Sequence, residues 1–117
     1  MTKVLTALAL AVFALGTPAV SAHHGWGSYD ASKPVTVAGK ILTSKYENPH
    51  VALTVQAPDK VWTVTLAPTS RMANRGALAE MVKVGNEISA YGYPSTAEKD
   101  EMRAERITVA GKTIEMR

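Results

Sequence analysis

The stretch PTSRMANRG, Pro68–Gly76, decides the fold, because it reads as a helix set between segments that alternate like strands. Thr69 or Ser70 is placed to cap it, good helix formers follow, and Gly76 falls where a left-handed residue closes a helix. On its N-terminal side, Val35, Val37, Gly39 and Ile41 share one face of a first strand, with the glycine marking a bend or bulge. ENPH, 47–50, interrupts the pattern, since a proline has no ladder donor and restricts the residue before it. Val51, Leu53 and Val55 form a second strand, APDK a turn, and Trp62, Val64 and Leu66 a third. On the C-terminal side, ALAEMVKVGNE, 77–87, adds a helical turn and a loop at Gly85 and Asn86. Ile88 to Tyr93 and Arg103 to Ala110 are then the fourth and fifth strands, with a turn at Gly111 and a short extension over Thr113 to Met116.

Three strands, a helix and two strands is the order of a small OB-fold-like five-stranded barrel, so the class is all-β with one short helix, spanning residues 35–117. An immunoglobulin-like sandwich needs about seven strands. The chain has no cysteine, so stability rests on packing, and closing the sheet removes edges that such a small domain would otherwise expose.

The first 22 residues read differently. Lys3 gives a positive start, Val4 to Leu15 is an apolar run interrupted only by Thr6, and Val20-Ser-Ala22 is a small-residue end. A run this short falls below the roughly 20 residues a bilayer-spanning helix needs. It is the pattern of a secretory signal peptide, cut after Ala22. Removing 22 of 117 residues leaves 95, enough for one domain and no second. Residues 23–34 are then a polar lead-in, expected to run extended, and the destination is the periplasm. The formal charge of +3 falls to +2 without Lys3, with the signs interspersed. A nucleic-acid binder would show a basic patch or stripe, so no nucleic acid is expected as partner.

Cleavage after Ala22 would make His23 the first residue. Its α-amine and its imidazole Nδ1 can then close a chelate ring on one metal ion, and His24 adds a second imidazole. Amine and imidazole nitrogen suit copper, nickel and zinc, and the Irving–Williams order favours copper(II). Both donor types lose their protons to a metal readily near neutrality. Neighbouring side chains in an extended segment point to opposite sides, so a further donor is needed, and His50 in the Asn-Pro-His triplet is the candidate. The bland alternatives are a mobile polar tail for the doublet and a turn-closing surface histidine for His50.

Trp26, Tyr46 and Asn48 are weaker candidates for contact with a partner. Met72, Met81, Met102 and Met116 lack a tight cluster and read as core fillers. Ser28, His24 and Asp30 lie too close in sequence to form a catalytic triad, and no nucleophile elbow is present.

HHGWGSYDASKPVTVAGKI, ENPHV, VGNEISAYGYP and ERITVAGKT together resemble a family of small exported bacterial proteins catalogued as a domain of unknown function. The matching positions are His23 and His24, Asn48 to His50, Gly85 with Asn86, and Gly92 to Pro94, across essentially the whole mature chain. The chain departs from the family pattern at Tyr46, where tryptophan is common, at Ala52, where a large aromatic often follows, and at Asn86, which replaces aspartate. The resemblance implies export and fold and no activity. A looser likeness, carried by His23 and a distant histidine, is to copper proteins that use a mature N-terminal histidine.

The expectation is therefore a periplasmic protein that binds or delivers a transition metal, copper(II) first and zinc or nickel after it, rather than an enzyme. Its partner would be a periplasmic or membrane protein. The competing expectation is a metal-free interaction module that holds a peptide, glycan or protein.

Overall fold

The computed structural model describes residues 25–117, so the leader over 1–22, His23 and His24 lie outside the described residues. The strands are β1 (Val35–Lys45), β2 (Ala52–Gln56), β3 (Val61–Thr65), β4 (Glu87–Pro94), β5 (Glu101–Val109) and β6 (Lys112–Glu115). One helix, α1 (Thr69–Asn74), and a 3-10 turn at Ala79–Val82 lie between β3 and β4. The sheet runs β3-β2-β1-β4-β5-β6, and β3 also pairs with β5 in parallel. That last pairing closes the first five strands into a barrel with the connectivity of the OB-fold, as the order of strands and helix predicts.

Alternation decides which side chains fill the barrel. Leu53 and Val55 of β2, Val64 of β3, Ile88 and Ala90 of β4, and Ile107 of β5 all point inward and are buried. Met72 anchors α1 in the same core. Met102 and Met116 are buried there too, and Met81 packs against the core. Two glycines let strands approach closely. A Cβ on Gly39 would lie 1.8 Å from the carbonyl oxygen of Gln56, and one on Gly92 would lie 1.9 Å from that of Arg103.

The structure differs from the sequence reading at four places. β1 continues to Lys45, and its bend is a register shift between Ile41 and Thr43 rather than at Gly39. The N-cap of α1 is Pro68, which has no capping side chain; Asn48 supplies one from the β1–β2 loop, its Oδ1 accepting from the backbone N–H of Thr69 at 3.2 Å and from its hydroxyl at 3.0 Å. The extension after Gly111 is a sixth strand on the edge of the sheet. The lead-in is not simply extended: Trp26–Ser28 form a 3-10 turn and Tyr29 pairs with Ser95. Gly76 closes α1 at φ +87, as expected.

Candidate functional site

The lead-in is fastened to the barrel by main chain and side chain together. Asp30 N–H donates to Pro94 O at 2.9 Å, and Thr96 N–H donates to Ser28 O at 2.9 Å. Tyr29, only 7% exposed, donates its hydroxyl to Glu101 at 2.6 Å, and the Thr65 hydroxyl donates to the same oxygen at 3.3 Å. Burial, and then the bonded carboxylate, push the Tyr29 phenol up to about 12.

The turn before Tyr29 places Trp26 among arginines. The Arg103 guanidinium lies 4.3 Å from the indole centroid and that of Arg117 lies 4.2 Å from it. Both distances are within cation–π range. Arg117 is held there by Glu105, to which it donates through Nε at 3.0 Å and Nη2 at 2.7 Å. The series continues along β4, with Tyr93 6.1 Å from Trp26, Tyr91 6.2 Å from Tyr93, and Arg106 5.0 Å from Tyr91. Arg103 is 5% exposed; burial lowers its pKa, and repulsion from Arg71 and Arg117 adds to the shift. Arginine remains charged through such a shift.

His50 is half-buried just before β2. Its neighbour Val51 donates its N–H to Ala67 O at 2.9 Å, which holds the loop against the residues that lead into α1. Ala52, Thr65, Arg103 and Tyr93 are register partners across β2, β3, β5 and β4, and Trp26 lies over the last two. His50 is two residues beyond this row. The Asn-Pro-His loop, the start of α1 and the lead-in therefore share one region of the barrel.

Of the other residues singled out in the sequence, Trp26 sits in the arginine cluster. Tyr46 donates its hydroxyl to Ala77 O at 2.6 Å, and Asn48 caps α1 through a loop whose Asn48–Pro49 peptide is cis, so both help to hold the fold. Among the described residues no group of three or more histidine, cysteine, aspartate or glutamate side chains is placed to hold a metal ion. His50 is the one proposed ligand within them, because His23 and His24 lie outside. Sequence reasoning missed the Trp26–Arg103–Arg117 stack. Its only signal was an arginine between two apolar residues, Met102 and Ala104, of a strand.

Residues 10–104 match DUF6152, described as a family of unknown function. No curated protein is significantly similar to the chain. Among solved structures it is similar to TiaS, a tRNA agmatidine synthetase. With the ZRD-deleted mutant of TiaS in complex with agmatine, the TM-score is 0.54 at 17% identity, over 74% of this chain and 27% of that one. With TiaS in complex with tRNA and ATP the values are 0.51, 17%, 69% and 19%, and with apo TiaS 0.50, 18%, 68% and 18%. The chain thus spans about a fifth to a quarter of those proteins, and at this identity the likeness is one of fold. No helix among the described residues is long and apolar enough to cross a membrane.

Proposed function

The chain belongs to this family of unknown function, and from its own residues we propose that it is a periplasmic protein that binds or delivers a transition metal, copper(II) before zinc or nickel. The ligands in this reading are the α-amine and imidazole of His23, exposed when a leader is cut after Ala22, together with His24 or His50. The metal supplies no chemistry beyond being held and handed on. A site with three nitrogens and an open position suits transfer to a periplasmic or membrane protein partner.

The observation that supports this reading is the anchoring of the lead-in. A doublet on a free tail would have no fixed relation to His50. Here the described part of the lead-in is fastened to the barrel, with Trp26 held between Arg103 and Arg117 and Tyr29 bonded to Glu101. The test is copper titration of the mature protein and of His50→Ala, followed by desalting. Tight one-to-one retention that is lost in the variant while the fold persists supports the reading. Binding unchanged in the variant makes the doublet a bare tail that chelates alone.

A second reading, a metal-free interaction module for a peptide, glycan or protein, draws on the series Arg106, Tyr91, Tyr93, Trp26 along the outside of β4 and β5. Trp26→Ala separates the two. No copper retention by the unaltered chain, with a periplasmic partner that is lost in Trp26→Ala, favours the module.

A further inference from the structure

β6 is the edge of the sheet, with β5 on one side and no other described strand beside it. The β5–β6 hairpin turns on Ala110 and Gly111, at φ 50 and 78, the two-residue turn whose flanking pair is Val109 with Lys112. In such a hairpin, alternate residues turn their backbone groups towards the partner strand. Met116 N–H donates to Glu105 O at 2.8 Å, so residues 112, 114 and 116 face β5, and Thr113 and Glu115 present their N–H and C=O groups outwards. The carbonyl oxygen of Glu115 confirms the phase, since it accepts from Arg75 Nη1 at 2.9 Å on that outer side.

Along this edge runs an open cleft of about 570 Å³, lined by Arg75, Lys112, Thr113, Ile114, Glu115 and Arg117. That volume is in the range of ligand clefts, about 300–1,000 Å³. Three cations and one carboxylate line it, and that carboxylate already accepts from Arg106 Nε at 3.0 Å. An edge with outward-turned main-chain groups is a template for one more strand.

We propose that the outer edge of β6 docks an extended acidic peptide segment as an added strand. Thr113 and the N–H of Glu115 supply main-chain pairing, and Arg75 and Lys112 select carboxylate side chains on the incoming segment, Arg117 being already engaged by Glu105. Charge complementarity chooses this occupant over a second copy of the chain, which would bring Arg75 and Lys112 against their own counterparts. The site is independent of the histidines and does not rest on the metal reading.

The probe is a labelled, end-blocked peptide of alternating threonine and glutamate, titrated against the full purified chain at low salt and followed by fluorescence anisotropy. Saturable binding is expected, weakened about tenfold by Lys112→Glu and by Thr113→Pro. Proline at 113 keeps the β5 ladder, because that N–H makes no bond to β5, and loses only the hydroxyl hydrogen bond between Thr113 and Thr108. A peptide N-methylated on every residue has no main-chain donor on either edge and is expected to bind at least about tenfold more weakly to the unaltered chain, which keeps the test valid if Thr113→Pro fails to fold. Equal binding of the methylated peptide, no effect of Thr113→Pro in a folded variant, or no binding at all overturns the proposal. So does a dimer in sedimentation that Thr113→Pro dissociates, which would give the edge to a second copy.

Discussion

The Tyr29 hydroxyl donates a 2.6 Å hydrogen bond to Glu101, joining the lead-in to the first residue of β5. Tyr29→Phe removes that donor and leaves the carboxylate with Thr65 alone. A hydrogen bond to a charged group suggests a loss of about 1–2 kcal/mol, read in urea unfolding. Faster amide exchange at Asp30 and Thr96, whose N–H groups fasten the same segment, should accompany it.

The same phenol gives a pH dependence. Its folded pKa is raised from 10.0 to about 12, so its contribution is fully present below pH 10 and is lost as pH rises towards 12, where the unfolded chain ionises first. Burial raises Tyr46 and Tyr93 as well. The prediction therefore concerns the difference between proteins: Tyr29→Phe should lose less stability between pH 10 and 12 than the unaltered chain. Parallel alkaline unfolding curves would contradict it.

Asn48→Ala takes from α1 the acceptor that caps Thr69. The expected cost is about 1 kcal/mol in denaturant unfolding. Asn48→Asp keeps the acceptor oxygen and should recover most of it. If Asn48→Asp is as damaged as the alanine variant, the cap is not what the residue contributes.

Gly92→Ala should be far more severe. The new Cβ would lie 1.9 Å from Arg103 O and 2.8 Å from Arg103 C, both backbone atoms that cannot move aside without displacing β5 from β4. A loss of about 3 kcal/mol or more is expected, seen as poor soluble yield or a strongly lowered urea midpoint. Near-normal stability would mean that the two strands separate easily.

Much of this was legible in the sequence, because period-two burial is written directly into it. Val51 to Val55 and Trp62 to Leu66 alternate, and one interposed helix ended by Gly76 suffices to select the barrel. What could not be read were features made by residues far apart in the chain. Asn48 caps a helix 21 residues later, and nothing local to Pro68 announces it. The bend in β1 is a mismatch of register between two strands, so the sequence drew attention to Gly39, whose role is close approach to Gln56. The lead-in looked polar and loose because its partners, Glu101, Arg103 and Arg117, lie far along the chain, Glu101 by 72 residues from Tyr29. The histidines stood out through their chemistry, and the arginine–tryptophan stack did not, because arginine and tryptophan are ordinary surface residues until they meet.

Ionic strength offers a check on where a bound metal sits. Arg103 and Arg117 flank the segment that follows the doublet, so their repulsion of a divalent ion is screened as salt rises. Copper affinity should increase modestly, about two- to fivefold, between low salt and physiological salt. In Arg117→Gln it should be higher at low salt and less dependent on salt. Affinity that falls with salt would place the ion near carboxylates instead.

The most direct test of the metal reading is native mass spectrometry of the protein purified from the periplasm of its own host, which reads the first residue and any retained metal in one mass. The account predicts a chain that begins at His23 and carries one copper ion. A chain that begins elsewhere, or one that is metal-free and stays so after copper titration and desalting, would contradict it.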